Sequence, residues 1–585
     1  MILQALTQYY YRLKDEGAKI APFGFEKKEI PFLIVLDKDG NFKGLRDTRA
    51  GDGKKKRARS FLLPKGEKKT SGIKANLLWD NPQYIFGVSK GNSDKDERRA
   101  QQAKKAFLAK IIKVFGEDFD DDGIRAVIRF LNREDFDQVY KNPLWKEIAE
   151  THPNMTFILE GDHQELIAQR PKVVARLETM EISNGKERIC LVTGKKDAPA
   201  ILHTAIKGVW GAQSSGANIV SFNKESFCSF TYWKKQGLNA PVGQRTEFAY
   251  TTALNTLLAK DSRQRMQVGD TSTVFWADKS HPFEEDFSFF LSEPPKGQEP
   301  DYSRVRALLK AVQTGTLPPE DTTGFHVLGL APNASRIAIR FWYDGTVAEL
   351  KARIAQHFQD LEIVRSPGDR EYLSLFQILI AIAPEGKSDN IPPNLGGETM
   401  RSVLSGLPYP RTLLSAAISR CKAEQKVNRT RAAIIKACLV RQARFQKKSS
   451  KEVSMALDKT YDNMGYVLGR LFAVFERIQE KALGGGLNKT IRDTYFGAAS
   501  SSPLVTFRRL NELAIHHLAK LRNSGESTTW LEMLLQEVMD KVPASGIPNT
   551  MSLDDQGRFA VGYYHQRQDF FRFNKNKEED KEVAQ

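Results

Sequence analysis

An acidic cluster at residues 117–123 has side chains that could bind calcium. Asp118–Gly123 matches D-x-D-x-D-G, the opening of an EF-hand loop. Such a loop needs a bidentate Glu at its twelfth position, where this sequence has Arg129, and a cation there repels the ion. Carboxylates also cap helices by accepting hydrogen bonds from free backbone N–H groups. The sequence therefore predicts a helix cap rather than a calcium site.

Sequence motifs for nucleotide hydrolysis and for zinc- or thiol-based chemistry are missing. Gly386-Lys387-Ser388 resembles the end of a phosphate-binding P-loop, but Ala381 stands where the earlier glycine is required. H-E-x-x-H does not occur, and the four cysteines form no C-x-x-C pair. The sequence therefore gives no support for nucleotide hydrolysis, and we expect no bound metal and no cofactor.

A glycine-rich segment at residues 206–223, IKGVWGAQSSGANIVSFN, has the composition of a ligand-binding loop. Glycines let a backbone approach a ligand closely, and short polar side chains supply hydrogen-bond donors and acceptors for base edges or phosphates. The side chains of this kind are Gln213, Ser214, Ser215 and Asn218. The alternative interpretation is an ordinary glycine-rich turn between a helix and a strand.

A basic loop is predicted at residues 54–76, because its glycines and proline disfavour a helix. Its cations are Lys54, Lys55, Lys56, Arg57, Arg59, Lys65, Lys68, Lys69 and Lys74. Lys69, Ser71, Lys74 and Asn76 have the chemistry to hold phosphate. The neighbouring aromatics Trp79 and Tyr84 either stack on bases or simply anchor a strand to the core, and both alternatives stay open.

A cationic run spans residues 420–451, where Glu424 is the single acid. Its members are Arg420, Lys422, Lys426, Arg429, Arg431, Lys436, Arg441, Arg444, Lys447, Lys448 and Lys451. Helical spacing places 441, 444, 448 and 451 on one face, opposite apolar residues. A face with so few acids repels itself unless an anion lies along it, so we interpret the run as a nucleic-acid surface. A merely solvated face is the alternative.

The composition agrees with a polyanionic partner. Of the 585 residues, 88 are Lys or Arg and 71 are Asp or Glu, which leaves a net charge of +17. The hydrophobic share of 41% predicts folded domains rather than a disordered polycation. No signal peptide and no run of eighteen apolar residues occurs, so we expect a reduced, cytoplasmic protein without a membrane partner.

The predicted architecture is α+β, with a mixed N-terminal region followed by a helical bundle. A helix at 3–13 and a hairpin at 31–45 open residues 1–390, and a helix is predicted at 95–115. The Pro-, Gly- and Asn-rich stretch at 385–398 predicts a boundary near residue 390. Beyond it, residues 391–585 are predicted to be all helical.

Six ordered segments together resemble the large subunit of the type I-C CRISPR surveillance complex, Cascade. That subunit is the subtype-C branch of a family whose members read the PAM, a short duplex motif beside the guide-matched DNA. The segments are KTSGIKANLLWDNPQYIFG (69–87), LVTGKKDAPAILHTAIKGVWGAQSSGANIVSFN (191–223), NAPVGQRTEFAYTTALNTLL (239–258), VGDTSTVFWAD (268–278), FHVLGLAPNASRIAIRFWYDG (325–345) and VGYYHQRQDFF (561–571).

This resemblance implies a non-catalytic subunit that recognises the PAM in double-stranded DNA, aids duplex opening and steadies the displaced non-target strand. The implied partners are target DNA, the CRISPR RNA, the backbone and guide-processing Cascade subunits, and a recruited helicase-nuclease. Residues 1–390 would recognise the PAM and anchor the subunit, and residues 391–585 would stabilise the displaced strand. This division follows the general rule that base pairing reads the target while protein reads the PAM and the backbone.

Carried onto this sequence, the resemblance assigns two sets of residues. The PAM candidates are Lys69, Ser71, Lys74, Asn76, Lys207, Gln213, Ser214, Ser215, Asn218 and Lys224. The non-target-strand candidates are Arg429, Arg431, Lys436, Arg441, Arg444 and Lys448.

The resemblance also implies a small helical subunit translated from within the same gene. Lys451-Glu452-Val453 permits codons that read as a ribosome-binding sequence before Met455, and Met464 is a second possible start. Two other functions stay open: a single-stranded nucleic-acid-binding scaffold without sequence preference, and a nuclease whose acids converge only in the fold.

Overall fold

The computed structural model describes residues 2–18, 20–51, 57–67, 69, 72–91, 93–162, 165–179, 187–229, 236–291, 302–314, 321–448, 452–484 and 489–583. Helices and strands mix in the N-terminal part, and helices follow them in the C-terminal part. The predicted α+β class is therefore confirmed.

The chain forms two compact units. Unit 1 comprises Leu3–Thr204 and Ser221–Ala253, and unit 2 comprises Ala205–Val220 and Leu254–Gln585. Residues 206–220 of the glycine-rich segment thus belong to unit 2, and residues 221–223 belong to unit 1. Position 390, where the composition changes, lies inside unit 2, and a functional division there stays a prediction.

The strands of unit 1 are β1 (Phe25–Glu29), β2 (Phe32–Leu36), β3 (Phe42–Asp47), β4 (Ser60–Pro64), β5 (Trp79–Asp80), β6 (Met155–Leu159), β7 (Arg188–Ile189) and β8 (Lys196–Asp197). Its helices are α1 (Ile2–Asp15), α2 (Pro82–Ile85), α3 (Asp94–Phe115), α4 (Asp122–Leu131), α5 (Asp137–Tyr140), α6 (Trp145–Thr151) and α7 (Pro171–Thr179). Helix α8 (Gln244–Leu257) begins in unit 1 and ends in unit 2.

A four-stranded sheet in the order β3-β2-β6-β5 organises unit 1. Strands β2 and β3 form the predicted antiparallel hairpin, whereas β6 runs parallel to β2. Gly40 in the hairpin turn has φ +78°, and a Cβ there would lie 2.7 Å from the Ala126 carbonyl oxygen. Only glycine fits this turn. A large apolar core packs on the sheet through α3 and α4.

The acidic cluster of the sequence caps α4. The Asp121 carboxylate accepts hydrogen bonds from the backbone N–H groups of Gly123 and Ile124, at 2.9 and 3.1 Å. Arg170 donates from Nε to the same carboxylate at 2.8 Å. The predicted helix cap is confirmed, and its charge is balanced by a cation.

The strands of unit 2 are β9 (Arg265–Val268), β10 (Thr271–Ala277), β11 (Gly324–Asn333) and β12 (Arg336–Thr346). Its helices are α9 (Phe283–Leu291), α10 (Ser303–Gln313), α11 (Val347–Leu361), α12 (Leu375–Ile382), α13 (Leu395–Ser405), α14 (Arg411–Glu424), α15 (Arg429–Phe445), α16 (Met464–Leu483), α17 (Ile491–Ser501), α18 (Pro503–Asn523), α19 (Thr529–Met539) and α20 (Leu553–Val583). Short 3-10 turns occur in both units: Ile167–Gln169, Glu225–Phe227 and Gln236–Asn239 lie in unit 1, and Pro384–Gly386 and Ser388–Asn390 lie in unit 2.

Unit 2 joins an antiparallel sheet, in the order β12-β11-β10-β9, to a helical bundle. One continuous hydrophobic core runs from the sheet into the helices. Helices α16 and α20 pack at very short range, because a Cβ at Gly469 would lie 2.1 Å from the Phe559 carbonyl oxygen. The described residues after β12 contain helices and no strand, which agrees with the predicted loss of strand patterns. Within the described part, no helix combines the length and the apolar character needed to span a bilayer.

Candidate nucleic-acid interface

The glycine-rich segment of unit 2 is a closed loop. Ile206 and Ala217 pair as an antiparallel bridge, with N···O distances of 2.8 and 2.9 Å between their backbone groups. Beyond the bridge, the Ile337 N–H donates to the Asn218 carbonyl oxygen at 3.0 Å. These bonds attach both ends of residues 206–218 (the glycine loop) to the framework of unit 2.

Two further contacts fix the middle of the glycine loop. The backbone N–H of Trp210 donates to Ser272 Oγ on β10 at 2.9 Å, and the backbone N–H of Lys207 donates to Asn255 Oδ1 on α8 at 2.7 Å. Gly208 has φ +89°, and a Cβ there would lie 2.7 Å from the Leu258 carbonyl oxygen. The backbone is therefore held in one conformation that requires glycine.

Four predicted contact residues point out of the glycine loop into solvent. They are Lys207, Gln213, Ser214 and Ser215, all of which are exposed. Asn218, the fifth, is half-buried, and its backbone belongs to the loop's base. The loop therefore presents one cation and three short polar side chains from a rigid backbone, which is an arrangement suited to phosphate and base-edge contacts.

Trp210 is a prominent residue of the loop that the sequence analysis did not single out. Its side chain is 67% exposed, whereas tryptophan is mostly buried in folded proteins. The signal that could have found it is its place between Gly208 and Gly211. A large side chain flanked by two glycines in a tight loop has little framework nearby to cover it.

The basic loop of unit 1 uses part of its predicted phosphate-binding set for its own structure. The Lys69 ammonium pairs with the buried Asp80 carboxylate and lies 3.6 Å from the centroid of the Tyr84 ring. An ion pair and a cation–π contact thus hold this lysine against the domain, although its side chain stays 29% exposed.

The base-reading role predicted for Asn76 is corrected by its burial. Asn76 is only 4% exposed, and its Oδ1 accepts a hydrogen bond from the Glu67 N–H at 2.9 Å. Its own N–H donates to Asp80 Oδ2 at 2.9 Å. The side chain closes the loop from inside because a buried amide needs partners within the protein.

The two aromatics beside the basic loop pack in the core. Trp79 is 2% exposed and donates from Nε1 to the Pro64 carbonyl oxygen at 2.7 Å, and Tyr84 is 6% exposed. Of the two open alternatives, core packing is confirmed and base stacking is wrong.

The remaining candidates of unit 1 are exposed or lie outside the described residues. Lys74 and Lys224 are exposed, and Lys224 precedes the short turn Glu225–Phe227. Ser71 lies outside the described residues, as do Lys54, Lys55, Lys56 and Lys68 of the basic loop. Lys74 and Lys224 stay available for phosphate contacts.

The predicted cationic stripe on α15 is largely internal. Arg431, Lys436 and Arg441 are 5%, 5% and 2% exposed. Arg431 pairs with Glu424 of α14 and donates from Nε to the Ala381 carbonyl oxygen at 3.0 Å. The hydrogen bond from Arg431 lowers the pKa of the Glu424 carboxyl to about 2. These cations are neutralised inside the protein.

Asp360 of α11 is the main anion beneath α15. Its carboxylate, 2% exposed, forms a bidentate pair with Arg444 and lies 3.5 Å from Arg441 Nε. Its carbonyl oxygen accepts a hydrogen bond from Lys436 Nζ at 3.1 Å, and burial lowers the pKa of that ammonium group. The surface interpretation of Arg431, Lys436 and Arg441 is therefore corrected.

Three of the non-target-strand candidates still reach the surface. Helix α15 ends at Phe445, so Lys448 does not lie on the predicted helical face. Lys448 is exposed, and the Arg444 side chain is 45% exposed despite its pairing with Asp360. Arg429 is half-buried and donates to the Glu371 carbonyl oxygen at 3.0 Å. Lys451 lies outside the described residues. The cationic surface of this helix is thus concentrated at its C-terminal end.

In the described part of the chain, no three His, Cys, Asp or Glu side chains come together as a metal site would require. The four cysteines Cys190, Cys228, Cys421 and Cys438 are free thiols.

Comparison with protein families places nearly the whole chain in one of them. Residues 6–571 match the family described as CRISPR-associated protein (Cas_Csd1). A comparison with curated proteins gives no match.

Proposed function

The chain belongs to the Csd1 family of CRISPR-associated proteins, and we propose that it is the large, PAM-reading subunit of a type I-C Cascade complex. In this role it recognises the PAM in double-stranded DNA, aids duplex opening and R-loop formation, and stabilises the displaced non-target strand. It then helps to recruit a separate helicase-nuclease. The family match supports a Cascade large subunit, and the rest of the proposal rests on the chemistry of the loops.

The observation that carries PAM reading is the rigidity of the glycine loop. Discrimination between bases requires donors and acceptors held in fixed positions, since a flexible side chain adapts to any base pair. Gln213, Ser214 and Ser215 are exposed on a backbone anchored to β10, α8 and β12. Lys207 beside them supplies a phosphate contact that fixes orientation without reading sequence.

Phosphate contacts elsewhere come from the exposed lysines of both units. Lys74 and Lys224 of unit 1 are assigned to the PAM duplex, together with the partly exposed Lys69. Arg444 of α15 and Lys448, which follows the end of this helix, are assigned to the non-target strand. Such contacts raise affinity for every sequence and make binding depend on salt.

The proposed partners follow from this role. They are target DNA, the CRISPR RNA, the backbone and guide-processing Cascade subunits, and the recruited helicase-nuclease, all in the cytoplasm. The protein itself is proposed to be non-catalytic and to need no cofactor, with cleavage left to the recruited enzyme.

A small helical subunit translated from Met455 or Met464 is a further proposed partner. Helix α16 begins at Met464, and Asn463 caps it by accepting a hydrogen bond from the Tyr466 N–H at 3.3 Å. A start at Met455 keeps this cap, whereas a start at Met464 removes it, so the structure favours Met455. Expression with Met455 recoded should abolish the short product, and an undiminished product would exclude this start.

A second candidate function is a single-stranded nucleic-acid-binding scaffold without a preferred motif. The exposed Lys448 and Trp210 favour it, because cations and aromatic faces bind strands regardless of sequence. A metal-dependent nuclease is the third alternative, and it predicts loss of DNA integrity when the purified chain and a divalent metal are mixed.

The experiment that separates these functions is duplex binding by the assembled guide complex, with and without this chain. Targets differ only in the bases that flank the guide-matched segment. Discrimination between flanks that appears only with the chain present supports PAM reading. Equal gains in affinity for every flank would instead support the scaffold.

A further inference from the structure

The indole of Trp210 is held in solvent by the backbone that carries it. The backbone N–H of Trp210 donates to Ser272 Oγ, and the flanking Gly208 and Gly211 both have positive φ, +89° and +75°. A Cβ at Gly211 would lie 3.3 Å from Pro332 Cγ, so the loop rests directly on the C-terminal end of β11. The loop cannot rotate to bury the indole without breaking these contacts.

The other exposed side chains of the glycine loop are polar or cationic. The other large apolar side chains of residues 206–217, Ile206 and Val209, are 1% and 5% exposed and face the protein. The exposed neighbours on the loop are Lys207, Gln213, Ser214 and Ser215. Binding to an apolar protein surface favours a cluster of apolar residues, whereas one aromatic face among donors and a cation suits a nucleobase beside its phosphate.

We infer that Trp210 is a base-stacking residue, which places its indole on the face of an unstacked nucleobase in the DNA held by the glycine loop. The inference rests on the proposed function, because it takes DNA as the ligand of this loop. It adds a contact of a different kind from the hydrogen bonds of Gln213, Ser214 and Ser215. Every base has a π-face, so stacking contributes affinity without selecting a sequence.

Three kinds of contact on one loop should give three separable signatures. Loss of a Gln213, Ser214 or Ser215 side chain changes the preference among flanking sequences. Loss of the Lys207 charge reduces the salt dependence of binding. Loss of the Trp210 indole should weaken binding to every flank and leave both the preference and the salt dependence unchanged.

The test uses the assembled guide complex with the Trp210→Ala and Trp210→Phe variants. We expect Trp210→Ala to weaken duplex binding about 5- to 150-fold on every flank, at both of two salt concentrations. Trp210→Phe keeps an aromatic face and should recover most of the loss. The matched control is Trp530→Ala, which removes a 44% exposed indole from α19 of the same unit and should bind DNA as the wild type does.

A second readout detects the stack directly. Thymines in and beside the flank are replaced one at a time by 5-iododeoxyuridine, which crosslinks on irradiation to an aromatic side chain stacked on it. We expect one position to crosslink to wild type and to Trp210→Phe but not to Trp210→Ala.

Two results would overturn the inference. One is wild-type affinity and crosslinking in Trp210→Ala, and the other is failure of this variant to join the complex, which would make Trp210 a protein contact. Flank preference of the wild type tests the proposed function separately. A wild type without flank preference would reject PAM reading, while a loss of affinity in Trp210→Ala would still support stacking.

Discussion

Asp360 on α11 and Arg444 on α15 form a bidentate ion pair, with an Nη1–Oδ2 distance of 3.1 Å and an Nη2–Oδ1 distance of 2.6 Å. The carboxylate is 2% exposed, whereas the guanidinium is 45% exposed. Arg441 approaches the same carboxylate from the buried side. One internal acid thus balances two arginines of a helix whose own sequence contains no acid.

Asp360→Asn should destabilise unit 2 strongly. The substitution leaves the buried Arg441 guanidinium without the carboxylate beside it, and an uncompensated buried charge costs about 3–5 kcal/mol. Hydrogen–deuterium exchange of α15 in the full chain measures the loss. Glu512→Gln is the control, because it breaks a solvent-exposed pair with Arg509, and such pairs contribute little to stability. Equal exchange in the two variants would contradict the assigned role of Asp360.

Lys448→Ala and Arg441→Ala should separate DNA binding from stability. Lys448 is exposed, so its loss should reduce the salt slope of non-target-strand binding by roughly 0.7 and leave exchange in α15 unchanged. Arg441 is buried, so its loss should raise exchange in α15. The salt slope comes from binding titrations of the assembled complex. A stable Lys448→Ala variant with the wild-type slope would remove Lys448 from the strand path.

Asn76→Ala should lower stability rather than alter flank preference. The change removes the acceptor of the Glu67 N–H inside a closed loop, which costs about 1–3 kcal/mol. Urea unfolding, monitored by hydrogen–deuterium exchange in unit 1, measures this loss of stability. Lys74→Ala is the control, since this exposed side chain should affect affinity and not stability. A stable Asn76→Ala variant with changed flank preference would restore the predicted base reading.

Acid should destabilise unit 2 through two buried histidines. Burial lowers the pKa of both His357 and His565 to about 3. In the unfolded chain the imidazole pKa is near 6.5, so between about 6.5 and 3 the unfolded state binds protons that the folded state does not. Their stabilising contribution is complete above pH 6.5, falls as the pH decreases through this window, and levels off below it.

The pH dependence is measured as the unfolding free energy between pH 6.5 and 5, above the range in which carboxylates titrate. Each histidine should contribute a slope of up to about 1.4 kcal/mol per pH unit. His565→Gln should remove the contribution of one histidine, whereas the control His516→Gln removes an exposed imidazole on α18. A wild-type slope in His565→Gln would show that His565 does not titrate between the two states.

Local sequence patterns predicted much of the fold. The first helix, the hairpin at Gly40 and the helix α3 follow from apolar periodicity and turn residues, which act within a few positions. Unit boundaries were beyond such patterns, because residues 205–220 join unit 2 through contacts with Ser272 and Ile337, far along the chain.

Separation along the sequence also explains which site predictions the structure corrects. The sequence predicted a ligand-binding loop or an ordinary glycine-rich turn at 206–223, because glycines and short polar side chains are adjacent there, and ligand binding stays a prediction. The predicted cationic surface at 420–451 is wrong for its buried members, because Asp360, their main internal partner, lies 84 positions before Arg444. Burial of a charge depends on such remote partners.

The most direct test of PAM reading is the flank preference of the combined variant Gln213→Ala, Ser214→Ala and Ser215→Ala in the assembled complex. These side chains are exposed, and the backbone bonds of the loop do not use them, so the loop should keep its conformation. We expect the wild type to prefer one flank by about 5- to 150-fold, and the variant to bind all flanks with the affinity of the weakest. A variant that keeps the wild-type preference would contradict the assignment of PAM reading to this loop.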